Sequence, residues 1–134
     1  MSRGYGAAAV LEMQDEKTAM YRYGNYNWNL EGYDNPEHLL DGWIWIEKSA
    51  LPQPEIHERI RRQPNGKKKR IVKRIPRQLD GAMLRSGQIQ IENSRFCWLL
   101  LEGNYDRMAV HLLWKISDTY QQTGSLPERV CLAY

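Results

Sequence analysis

The sequence contains little cysteine or histidine and no long apolar run. Its 134 residues include two Cys and three His, too few for a disulfide framework and without the paired spacing of a zinc site. No window approaches the roughly 18 apolar residues that a transmembrane helix requires. The start, MSRGYGAAAV, is too short and too weakly apolar for a signal peptide. We therefore expect a reduced, cytoplasmic protein with no metal site and no membrane contact.

Recognisable catalytic signatures are missing as well. Cys97 lies in an apolar run, where a buried and inert thiol is the expected state. The turn Pro64–Gly66 precedes lysines but lacks the GxxxxGK[ST] pattern of a nucleotide-binding loop. No cofactor is indicated, and the sequence favours a non-catalytic protein. A nuclease stays open as an alternative, because its acids and lysines need not be close in sequence.

The composition is that of a globular chain with an unusual set of aromatic residues. Hydrophobic residues make up 42% and charged residues 26%, which predicts one compact domain over residues 1–134. Five Trp and eight Tyr accompany a single Phe. Amphipathic rings of this kind suit both sheet faces and binding surfaces.

The first 48 residues predict a three-stranded antiparallel meander. Ala7–Met13 and Thr18–Tyr23 are strand-like runs joined by a short polar link, and Gly42–Lys48 alternates Trp with Ile. Between the second and third strands lies a long loop. Within it, Pro36–Leu40 is expected to form a single helical turn capped by Asn35.

The middle of the chain combines prolines, a turn and a β-branched run. Pro54 suits the first position of a helix, and Ile56 and Ile60 are four residues apart, so a short helix is predicted that ends among the following arginines. Pro64–Gly66 predicts a turn. Lys69–Ile75 predicts a strand, with helix as the alternative because its apolar residues also fit helical spacing.

The C-terminal part is dominated by one long helix. Asn104–Gly124 keeps its apolar residues on one helical face, with Asn104 as the expected cap. Gln78–Arg85 is predicted as a two-turn helix and Gln88–Glu92 as a strand. Asn93–Gly103 is apolar and ambiguous, with strand favoured, and Val130–Tyr134 is expected to return as an edge strand. The predicted fold is α+β: a mostly antiparallel sheet, formed by the N-terminal meander plus later strands, with the long helix packed on it and two short helices.

The charges are strongly segregated along the chain. Residues 1–58 carry a balance of −6 and residues 78–134 a balance of −1, whereas Arg59–Arg77 carries +10 and no acid. Such segregation indicates an anionic partner, or contact between this segment and the chain's own acidic N-terminal half. A solvated edge strand that lysines protect from aggregation is the simplest alternative.

We predict that this segment, as a helix, turn and strand, binds a polyanion, and nucleic acid is the favoured one, by contacts to the phosphate backbone. The alternative is a protein-binding module, such as an inhibitor, adaptor or immunity-type protein, that uses the same bases on an acidic protein. A third reading is a homodimer in which these bases face the acidic half of a second copy. The predicted contact residues are Arg59, Arg61, Arg62, Lys67, Lys68, Lys69, Arg70, Lys73 and Arg74.

Aromatic residues supply a second candidate contact. The pairs Tyr21 with Tyr23 and Trp43 with Trp45 could form a base-stacking platform on adjacent strands. The favoured interpretation is that they form the face of the sheet that the long helix covers. The remaining aromatic contact candidates lie in or near the long loop: Tyr26, Trp28 and Tyr33.

Overall fold

The computed structural model describes residues 3–79 and 81–134, and two strand systems dominate these residues. The main sheet consists of β1 (Tyr5–Gln14), β2 (Thr18–Asn27), β3 (Gly42–Glu47), β6 (Ile89–Glu92) and β9 (Arg129–Ala133). The other elements are a 3-10 turn (Lys48–Ala50), β4 (Glu55–Arg62), β5 (Lys68–Ile75), α1 (Ala82–Arg85), β7 (Leu100–Leu101), β8 (Tyr105–Asp106) and α2 (Arg107–Thr123). The fold is α+β, as the sequence predicts.

The main sheet is antiparallel throughout and has the order β6-β3-β2-β1-β9. The predicted meander is confirmed as β1, β2 and β3, although β2 continues to Asn27, whose partner on β1 is Tyr5. Side chains alternate across a strand, so Tyr21 and Tyr23 project to the same face as Ile44 and Ile46 of β3. These four residues are fully buried.

Helix α2 covers this buried face of the sheet. Leu112, Leu113 and Ile116 are completely inaccessible to solvent and belong to the same apolar core as the sheet residues. The helix ends where predicted, because Gly124 adopts φ +78° and donates its N–H to the carbonyl of Tyr120 at 2.8 Å. Its cap is Asp106 rather than Asn104, with the carboxylate accepting the N–H of Met108 at 3.0 Å. No helix in residues 3–79 and 81–134 combines the length and apolarity that crossing a membrane requires.

The helix predicted after Pro54 is wrong. Residues Glu55–Arg62 form β4, which pairs along its whole length with β5. Ile56 and Ile60 lie on the same side in either a helix or a strand, and the hairpin pairing with β5 decides between the two structures. The strand prediction for Lys69–Ile75 and the turn at Pro64–Gly66 are confirmed.

Three other predictions change in detail. The helix predicted over Gln78–Arg85 is present as the single turn of α1, and Asp80 lies outside the described residues. Pro36–Leu40 forms a hydrogen-bonded turn rather than a helix, in which the Asn35 side chain accepts the N–H of Leu39 at 2.9 Å. Within Asn93–Gly103, only Leu100–Leu101 is a strand, and both of its leucines are exposed.

Candidate nucleic-acid interface

The predicted basic segment forms most of a separate two-stranded hairpin, which we call the basic ribbon (Glu55–Ile75). Its strands β4 and β5 pair from Glu55↔Ile75 to Arg62↔Lys68 and are not part of the main sheet. Every residue of β4 is exposed, and in β5 only Ile71 is partly covered. The ribbon contains nine Lys or Arg and two Glu, a balance of +7, so the rest of the +3 chain carries −4.

The turn at the tip of the ribbon follows from its sequence. Pro64 has a fixed φ angle and occupies the second position of the turn, where proline is favoured. Gly66 adopts φ +81°, which other residues rarely reach. The Gly66 N–H donates to the Gln63 carbonyl at 3.0 Å, and the Asn65 side chain accepts the N–H of Lys67 at 3.0 Å. The turn therefore fixes the register of the two strands and places Lys67 next to it.

Each of the two acids in the ribbon pairs within the ribbon. Glu58 forms an ion pair with Arg70, and Glu55 contacts the His57 ring at 2.9 Å between Oε1 and Nε2. Glu58 belongs to the acidic N-terminal half, so its ion pair with Arg70 joins the basic segment to that half. In the part of the chain that the structure describes, no ion pair of the ribbon reaches an acid before Glu55. Among the described residues, the basic segment therefore meets the acidic half within the ribbon itself, and most of its bases face solvent.

The base of the ribbon is fixed to the body on both sides. Ala50 and Leu51, just before β4, are buried in the core. On the other side, the backbone of Arg77 exchanges two hydrogen bonds with the buried Gln121 side chain, at 2.6 Å to Oε1 and 2.9 Å from Nε2. Arg74 also donates to the carbonyl of Gln122 near the end of α2, at 3.4 Å. These contacts support a hairpin that would be only marginally stable alone.

Replacing Gln121 with alanine should loosen the ribbon. The variant leaves a backbone N–H and a carbonyl of Arg77 without their partner, so we expect a loss of about 1–3 kcal/mol in the free energy of unfolding. Hydrogen exchange should accelerate in β4 and β5 more than in the main sheet. Gln122→Ala is the matched control, because it retains the carbonyl that Arg74 contacts. Equal exchange rates in the two variants would contradict this anchoring role.

The predicted loop aromatics are only partly brought together. Tyr26 belongs to β2, and its ring stacks on exposed Trp28 with 5.2 Å between centroids. Tyr33 is half-buried, and its backbone closes a turn with Asn27 and Leu30. Before the chain enters the ribbon, the backbone N–H of Lys48 donates to the carbonyl of Lys17, which directly precedes β2. At the usual rise of a strand, Lys17 and Tyr26 are about 30 Å apart, so the stacked pair lies at the end of β2 that is remote from Lys48.

A combined platform of two tyrosines and two tryptophans does not form. The register Tyr21↔Ile44 and Arg22↔Trp43 puts the tyrosines under α2 and both tryptophans on the opposite face. The interpretation of these residues as the face covered by the helix is therefore confirmed for the tyrosines and wrong for the tryptophans. Trp43 and Trp45 are half-buried, and the guanidinium of Arg22 lies 5.5 Å from the ring of Trp43.

A buried polar cluster, which the sequence analysis missed, joins the sheet to α2. Asp106 accepts hydrogen bonds from the Tyr23 hydroxyl at 2.8 Å and from the Asn25 amide, and Tyr23 in turn accepts the N–H of Ser94 at 2.8 Å. Burial raises the pKa of Asp106 above its usual value despite these donors. The inward-facing register of Asn25 on β2, two residues after Tyr23, is the signal that could have revealed it.

Cys97 and the three His side chains, which the sequence analysis considered as reactive groups, have the following surroundings. Burial, followed by the nearby Asp106, raises the pKa of the Cys97 thiol to about 11, so the thiol stays protonated and weakly nucleophilic at neutral pH. His38, His57 and His111 lie in three separate parts of the fold. Among residues 3–79 and 81–134, no group of three or more His, Cys, Asp or Glu side chains is arranged to hold a metal ion.

Comparison with protein families, with curated proteins and with solved structures finds no match to this chain. The basic ribbon is consequently interpreted from its own geometry and charge.

Proposed function

We propose that this protein binds nucleic acid without catalysis, through the basic ribbon. The observation that supports this most directly is the concentration of +7 on an exposed hairpin beside a body of −4. Arg and Lys on such a surface attract phosphates and release the counterions that surround them. Contacts of this kind position a protein on the backbone and carry little sequence information.

The salt dependence of binding tests this proposal. If five to seven of the nine ribbon bases contact phosphates of a duplex, the slope of log K against log salt should be about −4.5 to −6. Affinity should then fall about 10³-fold between 50 and 200 mM salt. Fluorescence anisotropy with labelled mixed-sequence duplex and single strands measures this slope. No binding at low salt, or a slope shallower than about −2, would contradict the proposal.

A protein partner is the second candidate, and the apolar residues of the ribbon favour it. Ile56, Ile60 and Val72 share one face of the hairpin and are 57%, 71% and 51% exposed. Protein interfaces combine such an apolar centre with Arg and a polar rim. The partner would be an acidic protein or the acidic body of a second copy. A protein that purifies free of nucleic acid and enlarges at low salt in sizing chromatography would favour this candidate.

The same proposal assigns the protein to a reducing cytoplasm. Its two cysteines, Cys97 and Cys131, are both free thiols. The cytoplasm keeps thiols reduced, and it also contains nucleic acid.

A further inference from the structure

The two faces of the basic ribbon carry equal charge. Residues directly opposite each other in an antiparallel pair share a face, and successive residues alternate between faces. The register of β4 and β5 therefore assigns four bases and one Glu to each side, a balance of +3 on each. The first face has Arg59, Arg61, Lys69 and Lys73. The second face has Arg62, Lys68, Arg70 and Arg74.

The equal charge on the two faces distinguishes a partner that contacts one face from a partner that surrounds both. A flat partner, such as an acidic protein surface, contacts one face of a hairpin, and bases on the other face would stay in solvent. A groove with phosphates along both walls can use both faces. The major groove of B-form DNA is about 12 Å wide and admits a two-stranded ribbon. Packed sheets are about 10 Å apart, which approximates the thickness of a ribbon with its side chains.

The length of the ribbon fits the same partner. Eight paired residues per strand extend about 27 Å at the usual rise of a strand, which spans about eight base pairs. Duplex DNA presents about 16 phosphates over that distance, more than the ribbon's nine bases. In A-form RNA the major groove is too deep and narrow for such an element, and the minor groove is shallow.

We propose that the basic ribbon enters the major groove of duplex DNA, so that phosphates flank both of its faces. This inference rests on the proposed nucleic-acid binding and specifies the kind of nucleic acid. It requires that both faces contribute to affinity, that a double helix is preferred over a single strand, and that obstruction of the major groove weakens binding.

Two matched variants test the contribution of the faces. One changes Arg59, Arg61, Lys69 and Lys73 to Gln, and the other changes Arg62, Lys68, Arg70 and Arg74 to Gln, so each removes four charges. The probe is a mixed-sequence DNA duplex of about 16 base pairs, twice the length that the ribbon spans. Each variant should lose at least about tenfold in affinity, and the two losses should agree within about threefold. Wild-type affinity in either variant would overturn the inference.

Alternative nucleic acids and a modified duplex provide the other readouts. The wild-type protein should bind single-stranded DNA and duplex RNA of the same sequence at least about tenfold more weakly than duplex DNA. A duplex with bulky groups at the pyrimidine C5 positions, which project into the major groove, should lose a similar factor. Equal affinity for single strands, or an unaffected modified duplex, would overturn groove entry while nucleic-acid binding stands. Absence of binding to every probe would instead reject the proposed function itself.

Discussion

Reversing three ribbon charges, Lys68→Glu, Arg70→Glu and Lys73→Glu, is expected to weaken nucleic-acid binding by about 500-fold at 0.1 M salt. Lys68 and Arg70 lie on one face of the ribbon and Lys73 on the other, and all three are exposed. Each phosphate contact contributes about 0.9 log unit of affinity between 1 M and 0.1 M salt, so three contacts contribute about 2.7 log units. This value applies when all three bases contact phosphates, and the new carboxylates add repulsion to it.

The fold of the triple variant should remain intact. The three side chains are in solvent, and the ion pair between Arg70 and Glu58 is exposed, a type that contributes about 0–1 kcal/mol. Circular dichroism and urea denaturation check this expectation. Anisotropy titrations at several salt concentrations then measure both the affinity and the slope, which should become shallower by about 2.7.

A control for overall charge uses bases outside the ribbon. Arg85, Arg107 and Arg129 are all exposed, and changing them to Glu alters the net charge from +3 to −3, as the ribbon variant does. If net charge alone determined binding, the two triple variants would lose affinity equally. We expect the control to retain most of its affinity. An unchanged affinity in the ribbon variant would remove the basic ribbon from the binding surface.

Replacing Asp106 with alanine should have the largest effect on stability, a loss of about 3–5 kcal/mol in the free energy of unfolding. The substitution removes the cap of α2, worth about 1 kcal/mol, and leaves the donors of Tyr23 and Asn25 unpaired in the core at about 1–3 kcal/mol each. Asp106 and Asn25 are completely buried, so bulk solvent does not reach these donors in the wild-type protein. Urea denaturation followed by tryptophan fluorescence measures the change.

Asp106→Asn is the matched comparison and should cost clearly less. The amide oxygen can still accept the N–H of Met108, as the carboxylate does now. The Asn25 carbonyl oxygen is buried without a hydrogen-bond donor, so a rotated Asn25 amide could accept from the new side-chain NH₂. Loss of about 1 kcal/mol or less in the alanine variant would show that the cluster does not hold the helix to the sheet.

The pH dependence distinguishes the charge of Asp106 from its shape. Its folded-state pKa is raised by burial, so the carboxyl stabilises the fold below the unfolded pKa, and that contribution is lost as the pH rises through the folded pKa. Asparagine has no such titration. The stability of the wild-type protein relative to Asp106→Asn should therefore be greater in acid than at neutral pH. A difference that is independent of pH would show that ionisation of Asp106 does not contribute.

Local patterns were sufficient for much of the fold. The alternation in β2 and the one-sided apolar face of α2 correctly indicate which side of each element meets the core. In β3 the core side is that of Ile44 and Ile46, whereas the favoured interpretation assigned it to Trp43 and Trp45. The segment after Pro54 carried two conflicting periods, and only its pairing with β5 resolved them. Within the ambiguous apolar run before Gly103, Leu100 and Leu101 are exposed, because they form a short strand pair with β8 outside the core.

The candidate site was predictable in composition and not in arrangement. The sequence identified the bases of the ribbon because no acid lies between Arg59 and Arg77. The division of these bases between two faces follows from β4 being a strand. In the predicted helix, Arg59, Arg61 and Arg62 would not have alternated between two faces. The anchor between Arg77 and Gln121 joins residues 44 positions apart and left no local pattern in the sequence.

Because the ribbon is attached to the body at its base, its exposed side chains can change during evolution while the fold is kept. The residues that hold the body together lie in the main sheet and α2, whereas nearly all ribbon side chains are in solvent. Substitutions in the ribbon therefore carry little cost in stability, which is typical of exposed positions. The surface is free to exchange its side chains and acquire a new target while Leu51 and Gln121 keep it attached to an unchanged body.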